Sequence, residues 1–427
     1  MAKHRTKTGR KQGRGNWPRR RDEVRELPLV KALVSVRAGL SEVCTAAGLQ
    51  VLQAMMEEDR EVLCGPRYAH EEDRQVYRYG KVPGTVVLAG RRVEVRRPRA
   101  RSVGGGEVPL PSYLHFADED PLTRAAMERM LVGVSTRHYG RTLDPVSVDL
   151  EVSGVSKSAV SRRFVARTLS QLEEWMRRPL EELDLAVLLL DGLEIVEHTV
   201  IVALGIDTSG KKHLLGVWEG TTENSTVCKA LLADLVDRGV PADRSILVVL
   251  DGGKGLRKAT RQVFGRRAVI QRCQVHKMRN VLEHLPERMR PSVKRAIQGA
   301  YKTGDFEKAK GMLLALARKL EVDHPGAAAS LREGLDEALT VLSLGVGERL
   351  AGTLSSTNAI ESAFSGAREV MGNVKRWRGG RMILRWTVAG LQEVEGRFRR
   401  VKGKADMPRL VAALRARDEK DEARQVA

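Results

Sequence analysis

The sequence predicts an α/β chain: a mixed sheet with helical crossovers, interrupted by an all-helical stretch and preceded by helical and hairpin segments. Three observations predict it. Short runs at residues 185–190, 246–250 and 268–272 have the length of buried strands rather than of helices. Two further segments, 199–206 and 213–218, flank Asp207-Thr-Ser-Gly210, a turn composition. Between residues 282 and 350 the strand pattern stops and helical periodicity replaces it, as in 309–320 and 331–344.

Taken in order, residues 184–276 read strand, strand, strand, helix, strand, helix, strand. The first helix, 225–238, stops at Gly239-Val-Pro241. Three meandering strands followed by crossovers to two more is the order of a ribonuclease-H-like sheet. In that order the first and fourth strands are neighbours, which brings Asp191 beside Asp251. Each aspartate ends an apolar run, and each is followed by glycine, which lets the backbone turn away from the carboxylate. Open α/β sheets build their sites at the carboxyl ends of strands. An aspartate there is also an ordinary cap or turn residue, so the case rests on the set. Glu361, in Ser355-Ser-Thr-Asn-Ala-Ile-Glu361, sits at a helix start and supplies a third carboxylate. Three such groups can hold two divalent cations, the apparatus of phosphodiester cleavage. Asp251-Gly-Gly-Lys-Gly255 lacks the spacing of a nucleotide-binding loop.

Bulk composition agrees. A chain of 427 residues exceeds one ordinary core. With 74 basic and 54 acidic residues the net charge is +20, which points to a polyanion, nucleic acid first; a merely solubilising surface is the alternative. Cys44, Cys64, Cys228 and Cys273 form neither a disulfide framework nor a paired zinc pattern, which suits a reducing cytosol. No apolar run approaches the roughly 20 residues of a membrane span, and the basic N-terminus lacks the apolar segment of a secretory signal.

Residues 1–27 are a basic arm, disordered when free, that either embraces DNA or is a solvated tail. Residues 28–105 combine a helix (29–60) with a hairpin around Ala89-Gly90, whose alternating β-branched and basic residues give one cationic face for DNA. Residues 106–178 read as a helix-turn-helix DNA-binding domain. Gly154 permits the turn, Ser156 caps the helix, and Ala159, Val160 and Phe164 face inward. Lys157, Ser158, Ser161 and Arg162 then lie outward as on a recognition helix, or on a plain packing helix. The core occupies 179–281 and 351–402 around the helical insertion at 282–350. The tail, 403–427, is charged and helical without an evident core role.

Three smaller motifs leave choices open. Cys273-Gln-Val-His276 lacks two further ligands nearby for zinc, so it either braces the site or brings His276 to the scissile phosphate. Lys277 and Arg279 follow as phosphate contacts. Glu219 and Glu223 add carboxylates near the sheet end, with Glu223-Asn224 read as a helix cap. In Lys375-Arg-Trp-Arg-Gly-Gly-Arg381, Trp377 can stack on a base while Lys375, Arg376 and Arg378 hold phosphates, or the segment is a helix end packed on the sheet.

In chain order, Asp191-Gly192, Glu219-Gly-x-x-Glu223-Asn224, Asp237-Arg-Gly239, Asp251-Gly-Gly-Lys-Gly-Leu256, Gln271-Arg-Cys-Gln-Val-His-Lys-x-Arg-Asn280, Ser356-Thr-Asn-Ala-Ile-Glu361, Val374-Lys-Arg-Trp377, Arg385-Trp386 and Phe398-Arg-Arg400 resemble the Mutator-type bacterial insertion-sequence transposases. The resemblance is most specific between residues 190 and 400. It implies a DDE transposase with a ribonuclease-H-like core and a helical insertion before the glutamate. By matching position, Asp191, Asp251 and Glu361 bind Mg²⁺, with Mn²⁺ able to substitute. Cys273 and His276 match the family's Cys-x-x-His signature, which favours a site role for His276. The implied reaction is cleavage at terminal inverted repeats, freeing a 3′-hydroxyl, and transfer of that end into target double-stranded DNA. A homodimer or larger assembly, acting on DNA in the bacterial cytoplasm, follows from handling two ends together. Ser355-Ser356 departs from relatives, which often carry threonine or arginine there. The alternatives are a ribonuclease-H-like nuclease or resolvase that only hydrolyses, and a helix-turn-helix regulator with an inactive core; the three intact acids argue against the second.

Overall fold

The computed structural model describes residues 28–69, 73–118, 120–144, 151–220 and 225–426, so the basic arm 1–27 and Glu223-Asn224 lie outside the described residues. The chain forms two compact units, Met1–Asp118 with Arg141–Ser153, and Glu119–Gly140 with Gly154–Ala427.

In the first unit α1 (Pro28–Cys64) packs on a hairpin of β1 (Val76–Leu88) and β2 (Arg91–Ser102), to which β3 (Glu107–Val108) and β4 (Val152–Ser153) add short pairings; α2 (Pro111–Ala117) completes it. The hairpin turns at Ala89 (φ 50°) and Gly90 (φ 73°), both left-handed, as a tight two-residue turn requires. Alternate residues Val86, Val93, Val95 and Ala100 bury against Leu49, Leu52 and Met56. The cationic face predicted from the alternation is partly neutralised: Arg97 and Arg99 each lie 2.8 Å from Glu107. Arg99 and Arg101 stack over Tyr79 at 5.2 and 4.9 Å.

The second unit carries α3 (Asp120–Leu131), α4 (Lys157–Arg177) and a five-stranded sheet of β5 (Leu185–Ile195), β6 (His198–Asp207), β7 (Lys212–Gly220), β8 (Ile246–Leu250) and β9 (Ala268–Arg272). Its order is β7-β6-β5-β8-β9, antiparallel for β5–β6 and β6–β7, parallel for β5–β8 and β8–β9. A parallel neighbour needs a crossover, and α5 (Ser225–Asp237) and α6 (Lys254–Phe264) supply the two. Residues 187–190 and 246–250 are fully buried, which is why both runs are apolar without alternation. The expected β5–β8 adjacency is present. The expected end of β5 is not: the strand continues through Asp191 and Gly192 to Ile195. Buried Leu193 and Ile195 keep it in the sheet, paired with β6. Gly192 is therefore not a turn, whereas Gly252 (φ 100°) is.

After β9 the chain is helical: α7 (Gln274–Glu283), α8 (Arg290–Tyr301), α9 (Phe306–Leu320), α10 (Pro325–Arg332), α11 (Leu335–Ala338) and α12 (Thr340–Ser343), with a core of their own. The helical run read at 331–344 breaks at Gly334 (φ 60°), where the Arg272 guanidinium fills the space a side chain would need. Then α13 (Glu348–Leu354), α14 (Asn358–Met371) and α15 (Gly380–Glu395) return to the sheet, α14 packing on β5 and α15 on β7. The tail also departs from expectation. In α16 (Met407–Val426), Met407, Leu410 and Leu414 are buried, and Asp418 accepts the Ser245 N–H and pairs with Arg267, tying α16 to the entry of β8.

Gly390 lets α15 approach α14 closely; a Cβ there would sit 3.2–3.3 Å from Ala367. Gly390→Val is expected to destabilise the protein by about 2 kcal/mol through overpacking. Thermal and urea melts measure it, and an unchanged midpoint would contradict this packing.

Candidate active site

The last register pair of β5 and β8 is Leu190 with Leu250, so Asp191 and Asp251 are the next residues on adjacent parallel strands, about 4.8 Å apart at strand spacing. Asp191 is 7% exposed and its Oδ1 accepts the Gly192 N–H at 3.0 Å. Asp251 Oδ1 accepts the Gly253 N–H at 2.7 Å. Burial, and next the Asp251 charge, push the Asp191 carboxyl up to about 6; Glu361 adds to the rise and His276 opposes it. Glu361, in the first turn of α14, thus lies within electrostatic reach of the pair across the long helical stretch. Its Oε1 accepts the Thr357 hydroxyl at 3.1 Å and lies 3.6 Å from His276 Nε2.

Cys273 joins the parts. Its N–H donates to Leu250 O at 2.7 Å, fixing the start of α7 to the end of β8, one residue before Asp251. Its sulfur accepts from the N–H and hydroxyl of fully buried Thr357 at 3.5 and 3.6 Å. The Gln274 N–H donates to Ser355 O at 2.8 Å beside it. Thr357 has one hydroxyl proton, so sulfur and Glu361 compete for it. Burial pushes the Cys273 thiol up; His276 and the Thr357 contacts outweigh that and bring it below its ordinary value. His276 is raised to about 9, first by Cys273 and then by Asp191 and Glu361, so it is cationic at neutral pH. Its buried Nδ1 has no hydrogen-bond partner of good geometry among the described residues. Among the described residues no three His, Cys, Asp or Glu side chains are grouped closely enough, as they stand, to enclose a metal ion.

One expected phosphate contact is corrected. Lys277 is 3% exposed and donates to the Ser330 and Glu333 carbonyls, because α10 ends over this face of α7. Arg279 is exposed. On α4, Ser156 accepts the Ala159 N–H at 3.3 Å as a cap; Val160 and Phe164 are buried, Ala159 and Ser161 half-buried, and Lys157, Ser158 and Arg162 exposed. Phe164 meets Trp386 of α15 at 4.6 Å between ring centroids. This contact brings two separately predicted groups together: Lys157, Ser158, Ser161 and Arg162 line one groove of about 800 Å³ with Arg376 and Arg378. Lys375 and half-buried Trp377 lie outside its lining. Glu219 pairs with His198 at 2.5 Å. Sequence reading missed Thr357 as a donor to Glu361, although its place four residues before a helix glutamate was a usable signal. It also gave no groove role to Arg381 and Arg385, although Arg381 closes the basic run read at 375–381.

Thr357→Val is expected to lower stability by about 1 kcal/mol, the net value of one hydrogen bond. Thr357→Ser should restore it; equal destabilisation by both in urea melts would contradict the hydroxyl's role.

Residues 25–399 match the family model described as Transposase, Mutator family. The chain is 29% identical over 322 residues to the transposase for insertion sequence element ISRM5 of Rhizobium meliloti, covering 73% of this chain and 77% of that one. It is 29% identical over 327 residues (73% and 79%) to the transposase for IS256 in transposon Tn4001 of Staphylococcus aureus. Over 271 residues (62% and 80%) it is 30% identical to the transposase for IS6120 of Mycolicibacterium smegmatis.

Proposed function

The chain belongs to the Mutator family of transposases, and from that premise we propose that it binds the terminal inverted repeats of an insertion sequence, cleaves there with divalent metal, and joins the freed 3′ end to target DNA. On this reading the five-stranded sheet and its helical insertion are a ribonuclease-H-like core. The observation that carries the proposal is the buried Asp191 beside Asp251, its carboxyl driven up by desolvation and like charge. Such a pair is short of positive charge, and its hard oxygen donors, with Glu361, suit Mg²⁺ or Mn²⁺. Those three residues would hold the metal, which when bound supplies Lewis-acid activation of water and steadies the leaving oxygen.

The chain's own groups do the rest. The β5–β8 register fixes the two aspartates, and the contacts of Cys273 and Thr357 hold Glu361 within electrostatic reach of Asp191. His276 holds a positive charge beside Glu361, limiting repulsion among the acids before metal and DNA arrive. Two ends must be held together for joining, so at least a homodimer is expected. Among the described residues no helix is long and apolar enough to cross a membrane.

Asp251→Asn should retain binding to terminal-repeat duplexes and lose Mg²⁺-dependent cleavage by several orders of magnitude in a labelled-end assay. Undiminished cleavage would remove Asp251 from the site. In the same assay with wild type, joined product supports transposition, whereas cleavage without joining favours a hydrolytic nuclease.

Asp191 also gives a pH signature. Its folded pKa of about 6 lies above the ordinary 3.8, so its stabilisation is present below about 4 and lost as pH rises through 6, on the order of 3 kcal/mol. In chelator, Asp191→Asn should therefore raise the melting temperature at pH 8 relative to wild type and change it little near pH 4. Mg²⁺ should raise the wild-type melting temperature at pH 8 and not the variant's. A variant destabilised equally at both pH values would contradict the charge argument.

A further inference from the structure

We infer that the groove between the start of α4 and the start of α15 is a built site for the phosphodiester backbone of a DNA strand, with Arg385 as its fixed anchor. The inference rests on the nucleic-acid reading above and adds a subsite to it. Lys157, Arg162, Arg376, Arg378, Arg381 and Arg385 line the groove, and no carboxylate does among the described residues. Arg385 is 7% exposed; its Nη1 donates to Thr168 Oγ1 at 2.7 Å, and among the described residues it forms no ion pair. Placing a guanidinium out of water without a counter-charge costs several kcal/mol. Five further cations around it add repulsion. A fold selected for stability alone would put a carboxylate here, so the missing anion belongs to a ligand.

The donor geometry narrows that ligand. Guanidinium forks match phosphate oxygens in pairs, and Ser158 and Ser161 add hydroxyl donors on the same wall. Phe164 and Trp386 form an apolar floor beneath the cations. Exposed Arg376, Arg378 and Arg381 precede buried Arg385 along the chain, a row of charge rather than a single point. A polyanion suits a row better than a lone phosphate does.

The groove's place in the fold agrees. α15 begins where a side chain at Gly380 would collide with the Glu219 carboxylate, so this end of α15 is anchored at the carboxyl end of β7. β7 and β5 are both antiparallel to β6, hence parallel to each other, and Glu219 is at the same end of the sheet as Asp191. Two strand spacings, about 10 Å, separate β7 from β5. That span is roughly three nucleotide steps at 3.4 Å of rise, the scale on which one strand would pass from this edge of the sheet toward the acids.

This differs from base reading by a recognition helix. The outer residues of α4 share their groove with the start of α15 rather than standing alone on a free helix face, and phosphate contacts carry no sequence information. The test uses the full chain with Asp251→Asn in chelator, so it does not depend on catalysis. Affinity for fluorescent duplexes of terminal-repeat and scrambled sequence is measured by anisotropy across a salt series. Arg378→Gln and Arg381→Gln, both exposed, should weaken binding to the two sequences by the same factor. Each should also reduce the slope of log affinity against log salt by about 0.9. Arg385→Gln, checked by thermal melt, should do the same more strongly, and Arg385→Lys should recover part of it. Unchanged slopes for the two exposed variants, or losses confined to the terminal-repeat duplex, would overturn the assignment whatever Arg385→Gln does to the fold.

Discussion

Parallel pairing of β5 with β8 sets two carboxylates side by side at the edge of a dry core, and like charges that close cannot both be comfortable without a partner. The surrounding architecture follows from holding that arrangement. The antiparallel β5–β6 hairpin keeps Asp191 inside a strand rather than on a mobile loop, so its carboxylate cannot swing out to water. The crossover helix α5 brings β8 alongside β5 in parallel, and α6 brings β9 alongside β8. Apolar runs at 185–190 of β5 and 246–250 of β8 are then needed, because both faces of the sheet are covered there. Burial that stabilises the sheet is the same burial that raises the Asp191 pKa.

Cys273 explains how an acid from far along the chain comes within electrostatic reach of Asp191. A sulfur is a weak acceptor, and its two contacts with Thr357 are long. That weakness is useful, since Thr357 must also donate to Glu361. A stronger acceptor at residue 273 would capture the hydroxyl proton and leave Glu361 without its donor. Cys273 also accepts no metal-like role from its surroundings: its neighbours are a hydroxyl, a backbone N–H and one imidazole, not further ligands. The reading of Cys273-Gln-Val-His276 as a brace and the reading that places His276 at the site are therefore compatible. One end of the motif ties strands to helices, and the other presents charge to Glu361.

Strand identity and order were legible in the sequence because short apolar runs flanked by turn residues leave few alternatives. So was the cap of α4, since Ser156 and the spacing of Val160 and Phe164 are local facts. Three things were not local. β5 passes its aspartate because Leu193 and Ile195 find buried positions against β6, which a run ending in Asp-Gly does not announce. Lys277 is buried because α10 ends over it, and nothing near residue 277 encodes that. The buried role of α16 depends on Ser245 and Arg267 offering partners to Asp418, in a segment whose composition reads as a solvated tail. The groove is the extreme case, since Arg385 and Thr168 are 217 positions apart. Each segment alone was an ordinary basic helix start.

Charge in the second unit is separated rather than paired. At the carboxyl end of the sheet the acids are short of positive charge, with His276 beside Glu361. Beyond β7, at the same end, six cations line a groove without a carboxylate among the described residues. Elsewhere in this unit the chain pairs its charges readily, as in Arg267 with Asp418 or Arg257 with Glu337. The separation is therefore not forced by composition. Proteins depart from locally favourable pairing mainly where an external partner completes the balance. A divalent cation for the acids and a DNA strand for the groove would complete both at once, each reducing the repulsion the other region carries alone. On that account the two regions are one surface with opposite deficits, and a ligand that is itself a polyanion with bound cations meets both.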